Sequence, residues 1–311
     1  MGRDESIDSL KGFLILLVVI GHLIGSLRVS CVGGWNLIYT FHMPLFVLIS
    51  GYFSRRDIIN VKNIIKPLLV FQFISIVILI ILGNKFSISY FLIPHWTLWY
   101  LLSLIFWKLI LRYTPEKLIN NPHLYLAIAL LTSITIGVYL PHGRVLSLQR
   151  TISFLPFFLM GYYFRRGKIR QKICNNSIGI ILFVIVGLIC LIGLYPDNAS
   201  ILLKGADPYT IYDLPAKVFI LICTMVCIYT LWNIKRKVSW LAEIGKNSLM
   251  YYLYHGLIIE FVLVPIVNYF NLPTGILGIS TYFLFIIFII QTMNRFSFFK
   301  WLINPSLIAN K

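Results

Sequence analysis

Hydrophobic residues gather into long blocks along the chain, with short polar connections between them. Ten such stretches run over residues 12–27, 35–52, 67–83, 96–111, 124–140, 151–164, 177–195, 214–232, 247–268 and 275–293. A coiled block of about 20 apolar residues matches the bilayer's hydrocarbon core, because a helix advances about 1.5 Å per residue across ~30 Å. The pattern therefore predicts an all-α, polytopic membrane protein of about ten transmembrane helices. They form one bundle and a single domain over residues 1–311, with no soluble extension. The block at 151–164 is short for a full crossing, and the connection at 196–213, the longest, is too short to hold a domain. No small-residue cleavage site follows the first block, which reads as a retained helix rather than a signal peptide.

Composition sharpens this reading. Of 311 residues, 59% are hydrophobic and 12% charged, and mean hydropathy is +0.86. Those values exclude a soluble enzyme, a disordered chain and a secreted disulfide scaffold. The 27 Lys and Arg residues against 10 acids give a net charge of +17. They fall in clusters between the blocks, so the excess reports topology rather than nucleic-acid binding. Placing the N-terminus in the cytoplasm puts 21 of the 27 cations on the inner side, with both termini cytoplasmic. Of five cysteines, only Cys31 faces outward, Cys174 lies in an inner loop, and Cys190, Cys223 and Cys227 lie within spans. No disulfide or metal site is expected. Glycine-rich loops of the dinucleotide and phosphate-binding types are absent, which sets aside nicotinamide redox chemistry and direct use of ATP.

Ionisable groups inside spans are expensive in hydrocarbon and need either a partner or a function. His22, His42, Arg150 and His255 are the four that matter most. His22 follows Lys11 by eleven residues, which is roughly 16 Å of helix and within about 20° of the same face. That spacing places the imidazole near the membrane midplane below an interfacial cation. His42 lies about 10 Å into the second span, at a similar depth, and Pro44 is expected to kink the helix beside it. His255 forms a stripe with Ser248 and Tyr252 at helical spacing, which suits a lined channel or interhelical hydrogen bonding. Asp8 reads as the salt-bridge partner of Lys11, and Trp96 and Trp99 as interfacial belt residues. Glu260, deep in the ninth span, has no evident role.

The string Ile7-Asp8-Ser9-Leu10-Lys11-Gly12, with ten residues between Lys11 and His22, resembles the first-helix signature of membrane-bound acyltransferase family 3. The run Tyr39-Thr40-Phe41-His42-Met43-Pro44-Leu45-Phe46, continuing to Ser50-Gly51-Tyr52-Phe53, resembles its fucose 4-O-acetylase-like branch. Further similarity lies at Lys66-Pro67, Leu98-Trp99-Tyr100-Leu101, Arg150 ahead of Phe154–Tyr163, and Gly245-Lys246-Asn247-Ser248-Leu249 leading to Tyr252-Leu253-Tyr254-His255.

The resemblance implies transfer of an acetyl group from cytoplasmic acetyl-CoA to a hydroxyl of an extracytoplasmic or lipid-linked polysaccharide sugar, in the inner membrane. It makes His22 the central residue. Where many members have Arg, this chain has Lys11, a point charge rather than a planar fork. An imidazole with pKa near about 6.5 is suited to take a hydroxyl proton at neutral pH. His22 is therefore expected to act either as general base or as an acyl carrier. Arg150 is expected to stabilise an oxyanion or orient the acceptor, and His42 to orient His22 or relay its proton. Lys11, Arg55, Arg56 and Lys66 are candidates to bind the phosphates of coenzyme A, and Ser248, Tyr252 and His255 to line an acceptor channel. Expected partners are the glycan acceptor and the bilayer, with no nucleic acid and no metal. The competing class is a transporter of a lipid-linked sugar or small anion, against which the chain shows no evident internal repeat.

Overall fold

The computed structural model describes residues 4–29, 31–57, 61–139, 144–169, 176–196, 202–203 and 209–303. All regular structure among them is helical. In order come α1 (Glu5–Ser26), α2 (Val32–Phe53), α3 (Lys62–Ile81), α4 (Ser89–Leu92), a 3-10 turn (Trp96–Leu98) running into α5 (Trp99–Tyr113), and α6 (Glu116–Ile119). They are followed by α7 (Pro122–Tyr139), α8 (Leu148–Arg165), α9 (Asn176–Leu191), α10 (Leu214–Ile234) and α11 (Ser239–Lys246). The chain then enters α12 (Ser248–Ile258), a π-helical turn (Ile259–Leu263), α13 (Val264–Tyr269), α14 (Ile276–Met293) and α15 (Ser297–Ile303).

Every one of the ten apolar blocks is helical, and eight are long and apolar enough to cross a bilayer. These are Glu5–Ser26, Val32–Phe53, Lys62–Ile81, Ser89–Tyr113, Pro122–Tyr139, Ile211–Ile234, Ser248–Tyr269 and Ile276–Met293. Two fall short for separate reasons. Helix α8 has 18 residues but starts Leu148-Gln149-Arg150-Thr151, and α9 is apolar but has only 16 residues. Cys174, Arg170, Lys172 and Lys204 lie outside the described residues.

The described residues divide into two compact units. The first draws on residues within 1–31, 60–101 and 237–311, and the second on residues within 32–59 and 102–236. In the first, Asp4 caps α1 by accepting from the backbone N–H of Ser6 at 2.9 Å. Glu5 and Asp8 in the first turn suit the positive end of the helix. Helix α1 lies against α11 at backbone contact: a Cβ on Gly12 would sit 2.0 Å from the Leu241 carbonyl oxygen, and one on Gly245 would sit 1.8 Å from that of Asp8. Small residues allow this approach, which lipid-embedded helices use in place of hydrophobic segregation. Ser9 Oγ closes the seam, accepting from Val238 N–H at 2.9 Å and donating to the Val238 carbonyl at 3.1 Å.

The second unit repeats the device between α2 and α8. There a Cβ on Gly51 would meet the Phe158 carbonyl oxygen at 1.9 Å, and one on Gly161 that of Leu48 at 1.9 Å. Pro44 removes the backbone donor that would otherwise bond the Thr40 carbonyl, and that carbonyl instead accepts from Thr224 Oγ1 of α10 at 2.9 Å. The freed group is thus met by a hydroxyl from a neighbouring helix. Lys217, near the start of α10, is fully buried and donates to the carbonyls of Leu202 and Leu203. An ammonium buried in this way keeps its hydrogen bonds by donating to backbone carbonyls, which only accept.

Candidate functional site

In the first unit, α1 and the α11–α12 run each carry one histidine ten residues beyond the Gly12–Gly245 contact. His22 and His255 meet there, ring centroids 5.2 Å apart. Trp96, from the 3-10 turn before α5, puts its ring 4.7 Å from that of His22 in edge contact and 6.4 Å from that of His255. Tyr252 joins the group, 6.2 Å from His255 and 5.4 Å from Tyr100 by ring centroids, and its hydroxyl donates to the Thr97 carbonyl.

Hydrogen bonding fixes the chemistry of His255. The ring is fully buried, and Nδ1 lies 2.8 Å from the carbonyl oxygen of Tyr251. A carbonyl only accepts, so Nδ1 carries the proton and Nε2 presents a lone pair. That Nε2 is buried and has no hydrogen-bond partner among the described residues. The two rings thus lie side by side, with the acceptor nitrogen of His255 not engaged by a hydrogen bond to His22.

The turn bearing Trp96 is itself unusual. Trp96 has φ of +33°, in the left-handed region that a bulky side chain rarely occupies, and such strain persists only where surroundings impose it. Gln72 of α3 helps impose it: its Oε1 accepts from His95 N–H at 2.8 Å, while its Nε2 donates to the Tyr90 carbonyl at 2.7 Å. Gly256 of α12 completes the seat, since a Cβ there would approach Thr97 Oγ1 to 3.0 Å. Trp96 therefore faces the histidines and an adjoining cleft, unlike a belt residue, and Trp99 is buried.

Of the other expected residues in this unit, Lys11 pairs with buried Asp8 at 2.9 Å, as its spacing suggested. Lys66 donates to the Trp301 carbonyl at 3.2 Å and lies 4.6 Å from the centre of the Trp301 ring. Ser248 opens α12, seven residues before His255. Two residues that sequence reasoning left aside belong here. His95 Nε2 stands 3.5 Å from Oε1 of Glu260, and the His95 ring stacks on Phe261. The signal was available in the cost of an intramembrane carboxylate, which calls for a nearby partner.

In the second unit, His42 repeats the tautomer device, with Nδ1 2.6 Å from the Ile38 carbonyl oxygen and its ring 4.8 Å from Tyr39 in edge contact. Arg150 lies in the first turn of α8, within electrostatic range of Tyr39. Arg56 donates to the Thr114 carbonyl at 2.6 Å and pairs with Glu116 at 3.7 Å, while Arg55 is exposed. His42 and Arg150 share a unit with each other, and His22 and His255 share the other. Among the described residues no cluster of three or more His, Cys, Asp or Glu is arranged to hold a metal ion.

The family described as "Acyltransferase domain" matches residues 4–295, which takes in both units. Over 64 residues, 19% of this chain, it is 47% identical to Nodulation protein NolL of Mesorhizobium japonicum and covers 17% of that protein. Over 64 residues it is 42% identical to Nodulation protein NolL of Sinorhizobium fredii and covers 18% of it. The match thus spans less than a fifth of these curated relatives. No solved structure matches the chain.

Proposed function

We propose that this chain, which belongs to acyltransferase family 3, is a membrane-bound O-acetyltransferase whose reaction is centred on His22. The contact of the His22 ring with His255 and Trp96 carries the proposal. In the proposed reaction, acetyl-CoA reaches the protein from the cytoplasm, and the acceptor is a hydroxyl of an extracytoplasmic or lipid-linked polysaccharide sugar. The hydroxyl oxygen bonds to the acyl carbon, the carbon–sulfur bond breaks, and the hydroxyl proton passes through imidazole to the coenzyme A thiolate. In the alternative order, His22 attacks first, releases the thiolate and hands the acyl group on. His255 packs its ring beside that of His22, and with Tyr252 and Ser248 it is proposed to line the path of the acceptor. The membrane is proposed to be the inner one, with both termini cytoplasmic, and the fucose 4-O-acetylase-like branch supplies the favoured acceptor class.

His42 and Arg150 enter the proposal through substitution: His42→Gln and Arg150→Ala are each expected to lower transfer. The cations assigned to coenzyme A keep uneven support. Arg55 is exposed, whereas Lys11, Arg56 and Lys66 are engaged within the protein.

Glycan O-acetylation in cells carrying the native protein, His22→Ala or no copy tests the reading, with membrane levels of the protein followed in parallel. Loss of a base is worth about 10²–10⁴-fold, so acetylation falls to background in both altered strains while His22→Ala still inserts. Unchanged acetyl content without the protein favours the transporter instead.

A further inference from the structure

Beyond the histidine pair lies a cleft of about 440 Å³ lined by Ser26, His95, Trp96, Glu260 and Val264. It opens one helical step past the reaction centre on both flanks. Ser26 is four residues after His22 on α1, and Glu260 is five residues after His255. At about 1.5 Å per residue, both reach roughly 6–8 Å further along their helices. Trp96 belongs to both places, touching His22 and walling the cleft.

Three features mark the cleft as built. The chain carrying Glu260 leaves α-geometry for a π-helical turn over Ile259–Leu263, a distortion that recurs at functional sites. Across from it, the Trp96 backbone is held in the left-handed region. The carboxylate between them is under-used: His95 approaches Oε1 alone, and Oε2 has no hydrogen-bond partner among the described residues. Oε2 is buried, so it is Oε1, on a side chain that is 36% exposed, that keeps acceptor capacity toward the cleft beyond His95.

We propose that this cleft binds the acceptor, with Glu260 accepting hydrogen bonds from vicinal sugar hydroxyls, His95 orienting the carboxylate, and Trp96 stacking on the apolar face of the ring. The chemistry selects a neutral polyol ring over an anion, which the carboxylate repels. The inference rests on the acetyltransferase reading. Glu260 and Trp96 are binding residues, and His95 is a positioning residue.

The experiment uses membranes containing the full chain, radiolabelled acetyl-CoA, and envelope polysaccharide from the producing cells whose O-acetyl esters have been removed with mild alkali. If native membranes transfer no label, the acetyltransferase reading itself fails. With native transfer established, Glu260→Gln and His95→Gln are expected to raise the KM for polysaccharide at least tenfold while the KM for acetyl-CoA stays within twofold. Ser26→Trp, which fills the cleft from the opposite wall, gives the same split and serves where a carboxylate variant fails to accumulate. An unchanged KM for polysaccharide, or an equal rise in both constants, overturns the assignment.

Discussion

Substituting Gly12 by Ala adds one methyl group some 15 Å, or ten residues of helix, from the His22 ring. It is nonetheless expected to impair the chemistry. The new Cβ would stand 2.0 Å from the Leu241 carbonyl oxygen, against an ordinary contact near 3.4 Å, so the α1–α11 seam must open by about 1.4 Å. The obstacle is backbone on a helix, not the end of a flexible side chain, and it cannot turn aside. Overpacking of this kind costs roughly 1–3 kcal/mol. Its functional effect comes from continuity. Gly245 on α11 is followed, after the break at Asn247, by α12 and then His255, so displacing α11 against α1 displaces His255 against His22. A misplacement near 1 Å costs on the order of 10²-fold in rate, or about 2.7 kcal/mol.

The assay is turnover per folded molecule in detergent-solubilised membranes, read beside the thermal melting temperature. Gly187→Ala on α9 is the control, because its Cβ would meet only Leu37 Cδ2 at 3.8 Å, and native turnover is expected. Native turnover and native melting temperature in Gly12→Ala would refute the reasoning, showing that the seam does not set the register of the histidines.

Further outcomes follow from buried polar groups. Lys11→Met leaves the buried Asp8 carboxylate without this cation and is expected to destabilise by about 3–5 kcal/mol; adding Asp8→Asn should restore part of the loss in a double-mutant cycle of melting temperatures. Lys217→Met removes the donor to the Leu202 and Leu203 carbonyls, for an expected loss of about 1–3 kcal/mol and faster proteolysis near those residues. Tyr252→Phe deletes the hydroxyl bond to the Thr97 carbonyl that steadies the Trp96 turn, and is expected to lower turnover about fivefold, the equivalent of roughly 1 kcal/mol, with little change in melting.

Helix positions were legible in the sequence because a bilayer imposes one length and one polarity on every crossing. The Lys11–Asp8 pair was legible too, being local on one helix. Partnership between helices was not. Depth along a span does not say which helices are neighbours, and it gave no sign that His255 is an imidazole that meets His22 within its unit. Glu260 was set aside on ideal geometry, which turns five residues through about 500° and points it away from His255. Its partner is His95 from another segment, and the π-helical turn at Ile259–Leu263 that carries it is announced by no apolar pattern. His95 escaped notice because it precedes a span, where a polar residue is ordinary.

The two tautomers show what the membrane adds to imidazole chemistry. In water a neutral histidine exchanges its proton between nitrogens, and each form is available for acid or base duty. In both His42 and His255, Nδ1 reaches a carbonyl four residues back, Ile38 and Tyr251 respectively. Those carbonyls already serve the helix, yet an sp² oxygen has a second lone pair, so the bond is made without breaking the ladder. The result is a ring whose donor end is committed to its own helix and whose Nε2 projects away as an acceptor. A helix can thus deliver a base of fixed orientation with no second residue to hold it, in place of the carboxylate that commonly orients a catalytic histidine. His255 needs no such carboxylate, which leaves Glu260 available for the hydroxyls of an acceptor.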